Sequence, residues 1–216
     1  MNDLTISELL FEQFCKDNAI PISRIEREQH KTPDYDVYFG EHHIIAEVKQ
    51  NDPNEKDEEL REQVRSRGTA TCWEESGRRV RIKIDSAKKQ LKLSQCPTIL
   101  VLYDNVPIGS VDADDIKTAM YGHETIRIAL LEDTEDMPVD IEYVGFGAGR
   151  KFTRSHNTTF SAIALLYNFG VSLHLSIFHN IYAKHPIDPL WLRRDMVRHF
   201  TIAPQLQGTF QDWQEI

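Results

Sequence analysis

The sequence predicts a single α/β domain whose second half is rich in β-strands. An amphipathic helix opens the chain, a second helical pattern runs through residues 80–91, and four strand-like segments follow residue 125. No linker rich in Gly, Pro or Ser divides the 216 residues, a length that fits one domain with its own core. We therefore expect one domain over residues 1–216, with the chemistry-bearing motifs in 1–105 and a β-rich half in 106–216.

The first helix is predicted from its cap and its apolar spacing. Thr5 or Ser7 fits the N-cap position, and Glu8 completes a capping box with Thr5. The helix should end near residues 17–18. Apolar residues recur at helical spacing and predict its buried face: Ile6, Leu9, Leu10 and Phe14.

A β-hairpin is predicted after this helix. Residues 20–28 form an extended segment that begins beside Pro21. Residues 35–39 form a strand, Gly40 and Glu41 form the turn, and residues 43–49 form the returning strand.

The middle of the chain should leave the sheet and then return to it. Residues 51–77 are polar, contain Pro53 and Gly68, and predict an excursion or mobile loop with a helical stretch near 58–67. A helix is favoured for the next segment, although a strand near 80–84 is the alternative. Its stripe consists of Val80, Ile84, Ala87 and Leu91. Pro97 stops it, and residues 98–103 predict a buried strand.

The remainder alternates between helix and strand signals. Residues 112–120 predict a helix, and a last helix is expected at 192–200. Strands are expected at four places: residues 126–131, 141–146, 160–167 and 171–178.

The charge balance restricts the partners that the chain can have. A net charge of −9 disfavours nonspecific nucleic-acid binding, because phosphate neutralisation dominates that affinity. Residues 78–92, however, hold seven basic side chains against the single acid Asp85. This stretch is either a solvated helix face or a nucleic-acid contact surface.

Cysteine usage and hydropathy indicate a compartment. The three widely spaced cysteines form no CxxC pair, which disfavours a zinc ribbon, and their odd number suits the reducing cytoplasm. No apolar stretch reaches bilayer length, and the first residues lack the pattern of a secretory signal. We expect a cytoplasmic protein without a membrane partner.

The strongest chemical signal lies on the predicted hairpin. Side chains at positions i and i+2 of a strand share one face, so Glu47 and Lys49 should point the same way. The preceding strand should deliver Asp34, which follows Pro33, to the same place. Two carboxylates and an ammonium suit a hard divalent cation and a water molecule. The alternative is a simple turn at Pro33 and an edge strand with a wet face.

This arrangement resembles the PD-(D/E)xK nuclease superfamily, whose fold is called restriction-endonuclease-like. The resemblance rests on Pro33-Asp34 and Glu47-Val48-Lys49, with support from Glu12 and Gln90 on the flanking helices, and it covers roughly the first half of the chain. It implies an αβββαβ core with a mixed central sheet flanked by helices. The β-rich half would then be an extension of that core.

The resemblance also implies roles for individual residues. Asp34, Glu47 and the backbone carbonyl of Val48 would bind Mg²⁺ or Mn²⁺. Lys49 would orient the attacking water, and Glu12 would assist it, so the implied catalytic set is Asp34, Glu47, Lys49 and Glu12. Nucleic-acid contacts are expected from the basic helix: Arg79, Arg81, Lys83, Lys88 and Gln90.

The sequence therefore predicts a metal-dependent nuclease that acts on DNA, or less favourably on RNA. The alternative is a nuclease-like module that binds nucleic acid or protein without cutting. The second half of the chain would supply either a homodimer interface or substrate selection. Asp36 is expected either to assist the site or to pair with a neighbouring base, and His42 and His43 are interpreted as strand-end residues.

Overall fold

The computed structural model describes residues 4–26, 32–92, 94–106, 110–130, 139–203 and 211–216, with only the backbone of 130 and 139–143. The described helices are α1 (Ile6–Asp17), α2 (Glu55–Arg67), α3 (Arg78–Leu91) and α4 (Ala113–Tyr121), with a 3₁₀ turn at Pro189–Leu192. The first described strands are β1 (Ile22–Arg24), β2 (Tyr35–Phe39), β3 (His42–Asn51), β4 (Thr98–Asp104) and β5 (Glu124–Leu130). The later ones are β6 (Val139–Phe146), β7 (Ala162–Phe169), β8 (Ser172–His179), β9 (Val197–Ile202) and β10 (Trp213–Glu215).

The described strands form one large mixed sheet and one separate hairpin. The eight-stranded sheet has the order β1-β2-β3-β4-β7-β8-β9-β10, while β5 and β6 pair only with each other. Strands β3, β4 and β7 run parallel, as do β8 and β9, and the other neighbours are antiparallel. The predicted α/β class with a mixed central sheet is confirmed.

Helices cover both faces of this sheet. Helix α1 packs on one face through Phe11 and Phe14, and α3 and α4 pack on the other. Strand β3 lies between the two layers, so its side chains alternate between them. Ala46 and Val48 face α1, whereas Ile45 packs with the α3 side. Glu47 and Lys49 follow Ile45 at intervals of two and therefore face α3.

The cap of α1 is confirmed, but its predicted buried face is partly wrong. Thr5 and Glu8 form the capping box. Ile6 and Leu9 are about half exposed, at 49% and 51%. The buried stripe is centred instead on Phe11, because its ring and those of its neighbours fill the space above the sheet; it consists of Ser7, Glu8, Phe11, Phe14 and Cys15.

The predicted helix at residues 192–200 is wrong. The chain makes a 3₁₀ turn at Pro189–Leu192 and then enters β9, which pairs in parallel with β8. Val197 and His199 are buried while Arg198 between them is exposed, a period of two that belongs to a strand. The short strand β10 beside it was not predicted; it adds three residues to the edge of the sheet.

The segment between β3 and α3 is an excursion, as predicted, and it contains α2. The side chain of Asn54 caps this helix, and Gly68 ends it in the left-handed conformation. The predicted stripe of α3 is confirmed, since each member has no exposed surface: Val80, Ile84, Ala87 and Leu91.

None of the helices in the described segments is both long enough and apolar enough to cross a membrane.

Candidate active site

The start of β2 and the middle of β3 bring the predicted acids together. Asp34 lies immediately before β2, where its carboxylate Oδ2 accepts a hydrogen bond of 2.9 Å from the Val48 N–H. This bond fixes the carboxylate beside the centre of β3. Glu47, the neighbour of Val48, is fully buried.

Two side chains donate to one oxygen of Glu47. Lys49 lies two residues further along β3 and donates from Nζ to Glu47 Oε1. Gln90 on α3 donates from Nε2 to the same oxygen. The predicted pairing of Glu47 and Lys49 on one strand face is confirmed, and α3 closes that face.

The second oxygen of Glu47 is buried without a donor among the described residues. Among the described residues, no hydrogen-bond partner reaches the buried Oε2, and Gln90 Oε1 is also buried without a partner. A buried carboxylate oxygen without a donor costs free energy, because it has lost its water without replacement. Two buried oxygens without a partner, one carboxylate and one amide, on side chains that contact each other favour a bound cation or water nearby.

The electrostatics of Glu47 agree with this interpretation. The pKa of Glu47 is raised to about 7, chiefly by burial and next by the negative charge of Asp34. The ammonium of Lys49 opposes the shift. Two carboxylates that repel each other in a dry site are the arrangement that a divalent cation stabilises.

The backbone of Val48 is oriented for a further oxygen ligand. In a strand, the N–H and C=O of one residue face the same neighbour, so the Val48 carbonyl points to the side of Asp34. The residue before Asp34 is Pro33, which has no N–H to offer that carbonyl. The carbonyl therefore lies on the same side as the Asp34 carboxylate.

The residues present fit Mg²⁺ or Mn²⁺. Two carboxylates and one carbonyl are the oxygen ligands that these ions prefer, and water commonly fills their remaining positions. Within the described part of the chain, no cluster of three or more His, Cys, Asp or Glu side chains has metal-binding geometry. Any cation here would accordingly be held by few protein ligands.

Glu12 lies on the other face of the sheet. Its carboxylate accepts hydrogen bonds of 2.6 Å from Arg24 Nε and 2.9 Å from Tyr35 Oη. The hydrogen bond from Arg24 is the main reason why the pKa of Glu12 is lowered. Glu12 thus contacts Tyr35, the residue after Asp34, and reaches the site only through the start of β2.

The five predicted nucleic-acid contacts divide between the two flanks of α3. Arg79, Lys83 and Gln90 recur at helical spacing on the flank that faces β3. Arg81 and Lys88 lie on the opposite flank. Arg81 donates to the Ser76 carbonyl and to Glu75, and the Lys88 Nζ is 3.3 Å from a ring nitrogen of His156.

Both arginines are engaged in internal ion pairs. The side chain of Arg79 is 14% exposed and contacts Asp57 and Glu74. That of Arg81 is 10% exposed. Their contacts stabilise the connection between α2 and α3, and both guanidinium groups are occupied by these ion pairs.

Lys83 is the basic residue of α3 that belongs to the neighbourhood of the site. Burial lowers the pKa of Lys83, and the nearby ammonium of Lys49 lowers it too, while Asp52 and Asp104 oppose the shift. Lys83 and Lys49 therefore place two ammonium groups near the carboxyl end of β3.

A second polar group lies on the same face of β3, nearer its start. Asp36 Oδ1 is 2.6 Å from His43 Nε2, which confirms the pairing with a neighbouring base that was one of two expectations for Asp36. The other ring nitrogen of His43 contacts Cys96. Sequence analysis missed this contact, because the two residues are far apart in the chain. The only available signal was that Cys96 shortly precedes the buried strand predicted at 98–103, which the structure places beside β3.

Comparison with known proteins provides no relative for this chain. No family model matches it, and neither a curated protein nor a solved structure shows significant similarity. The chemistry of the site must therefore be argued from its own residues.

Proposed function

We propose that this protein is a metal-dependent nuclease that hydrolyses phosphodiester bonds of DNA, and less favourably of RNA. The observation that carries the proposal is the buried Glu47 Oε2, which has no described donor and lies beside the carboxylate of Asp34. Such an oxygen pair is suited to Mg²⁺ or Mn²⁺. Apart from the inserted helix α2, the element order α1, β1, β2, β3, α3 and β4 supports the resemblance to the restriction-endonuclease-like core.

Each residue has a role that follows from its position. Asp34, Glu47 and the Val48 carbonyl hold the cation, and Gln90 fixes the Glu47 carboxylate from α3. A bound divalent cation lowers the pKa of a coordinated water and polarises the phosphoryl oxygen. Lys49 holds the water and stabilises the negative charge that grows on the phosphate.

Glu12 and Lys83 act around this centre. Glu12 positions the start of β2 through Tyr35 and so supports Asp34 from the other layer of the fold. Lys83 binds a backbone phosphate of the substrate beside Lys49, because both ammonium groups lie near the carboxyl end of β3.

The direct test is cleavage of single- and double-stranded DNA and RNA by the purified protein in Mg²⁺, in Mn²⁺ and in EDTA. We expect cleavage in either metal, none in EDTA, and a loss of at least about a hundredfold in Asp34→Asn and Lys49→Ala. Cleavage that survives both substitutions would disprove the proposed site.

Metal binding gives a readout that does not depend on substrate choice. At a Mg²⁺ concentration about a hundredfold above its dissociation constant, the wild type should gain about 2.7 kcal/mol of stability. Glu47→Gln should abolish this gain, as measured by the shift of the melting temperature in Mg²⁺ relative to EDTA. An equal gain in wild type and variant would place the cation elsewhere.

A further inference from the structure

Asp36, His43 and Cys96 form a hydrogen-bonded chain that the proposed nuclease reaction does not use. His43 Nε2 is 2.6 Å from Asp36 Oδ1, and His43 Nδ1 is 3.3 Å from the sulfur of Cys96. A cysteine, a histidine and a carboxylate in this order constitute the arrangement that activates a thiol nucleophile.

The carboxylate decides which nitrogen of His43 carries the proton. An ionised carboxylate only accepts hydrogen bonds, so Asp36 holds the proton of the neutral imidazole on Nε2. The lone pair on Nδ1 then faces the sulfur of Cys96 and can accept the thiol proton. Asp36 also stabilises the imidazolium that results.

The three side chains are held in place by their surroundings. The ring of Tyr38 stacks on that of His43, with 5.0 Å between centroids. The Ile45 N–H donates to the Pro97 carbonyl at 2.9 Å, which ties the residue after Cys96 to β3. The Ser94 hydroxyl bonds both the N–H and the carbonyl of Cys96.

The group is also accessible to a small molecule. The side chains of His43 and Asp36 are 34% and 27% exposed, and Cys96 is partly exposed. His43 lies four residues before Glu47 on β3, about 13 Å along the strand, and Asp36 lies two residues after Asp34, about 7 Å along its own strand. The two polar groups therefore occupy one face of β3 at separate places.

We propose that Cys96, His43 and Asp36 form a nucleophilic thiol site for small soft electrophiles, with hydroperoxides as the substrate class. The thiol proton moves to His43 Nδ1, and the sulfur attacks one peroxide oxygen. The O–O bond breaks, the hydroxyl-bearing oxygen stays on sulfur, and the departing alkoxide (hydroxide in the case of hydrogen peroxide) takes the proton from the imidazolium and leaves as an alcohol (or water). Cys96 becomes a sulfenic acid, oxidised by two electrons while the peroxide is reduced. This proposal does not depend on nuclease activity.

The chain offers its own reference thiols. Cys72 is exposed, whereas Cys15 is buried in the core, where burial raises its pKa to about 12. The test is the rate of alkylation by iodoacetamide in the native protein at pH 7 in EDTA, followed for each cysteine by mass spectrometry. We expect Cys96 to react at least about tenfold faster than Cys72, and Cys15 to remain unlabelled.

Matched histidine variants test the mechanism. His43→Gln should lower the rate at Cys96 to that at Cys72, whereas His42→Gln should leave it unchanged, because His42 stacks on Trp191 instead. Labelling of Cys15 reports unfolding, and if His43→Gln unfolds the protein, Asp36→Asn replaces it with the same expected loss. A rate at Cys96 that equals that at Cys72 in the wild type, or that survives in a folded variant, would overturn the site.

Hydrogen peroxide tests the substrate class. One equivalent, with dimedone as the trap, should label the sulfenic acid at Cys96 and should spare Cys72. Fast alkylation without trapped sulfenic acid would overturn the assignment to hydroperoxides.

Discussion

The chain contains the pattern acid-x-lysine twice, once on a strand and once on a helix. Glu47 and Lys49 lie on strand β3, share one face and contact each other beside Asp34. Asp115 and Lys117 lie on helix α4, where residues two apart are rotated by about 200°. The same pattern therefore makes a common site on a strand and separates its members on a helix.

The two residues of the helical copy make structural contacts and form no common site. Asp115 Oδ1 accepts hydrogen bonds of 2.7 Å from the Gly77 N–H and 3.0 Å from the Ser76 hydroxyl. Lys117 lies among Asp114, Glu124 and Asp212 at 3.1 to 3.4 Å. Both residues hold neighbouring segments together.

The largest expected difference between the copies is in cleavage. Glu47→Gln keeps the size of the side chain but removes a charge that holds the cation, so cleavage should fall by at least about a hundredfold. Asp115→Asn keeps an oxygen for the Gly77 N–H and should cleave like the wild type. The cleavage rates of the two variants are to be compared on one substrate in Mg²⁺. If Asp115→Asn lost as much cleavage as Glu47→Gln, the claim that only the strand copy is catalytic would be contradicted.

The pH dependence of the free energy of unfolding should depend on Glu47 of the strand copy, an effect of intermediate size. Glu47 has a pKa of about 7 in the folded protein against an ordinary value of 4.5, so the folded state holds the proton more tightly. In EDTA, the contribution of Glu47 to the free energy of unfolding should be greatest below pH 4.5. This contribution, about 3 kcal/mol, should be lost as the pH rises to about 7. Urea unfolding across this range measures it, and Glu47→Gln should remove this contribution while Asp115→Asn retains it.

The smallest expected effect belongs to the helical lysine. Lys117→Met removes the cation shared by three carboxylates, which are themselves well exposed and remain hydrated. The free energy of unfolding should fall by about 1–2 kcal/mol, with cleavage unchanged. Lys49→Met is the matched variant and should lose cleavage. A Lys117→Met protein that loses cleavage while its stability is unaffected would contradict the structural role.

The fold was predictable where local pattern and packing agree. The stripe of α3 follows from Val80, Ile84, Ala87 and Leu91, since those residues lie on one side of a helix and are all buried. Residues 192–200 were mispredicted, because strand pairing with β8 overrides the helical tendency of the segment. The local sequence of residues 192–200 does not show that β8 is available as a partner strand, and this pairing determines their structure.

The candidate site shows the same limit. Glu47 and Lys49 could be placed together from the period of a strand, and Asp34 from the hairpin that precedes it. Arg79 and Arg81 looked available for nucleic acid because their partners Asp57 and Glu75 lie on other segments. The contact of Cys96 with His43 joins two loop-proximal residues across parallel strands, a proximity that only the assembled sheet creates.

Gly77 connects the two copies, because its N–H donates to Asp115 and it begins the helix that carries Gln90. Gly77 has a positive φ of 72°, and a Cβ there would lie 2.8 Å from the backbone of α4. The start of α3 is therefore held close against α4. The position of Gly77 thus fixes where α3 begins, and this in turn places Gln90 beside Glu47. Residues 69–73 connect α2 to this anchor, so insertions and deletions within them should be tolerated without displacing the active centre.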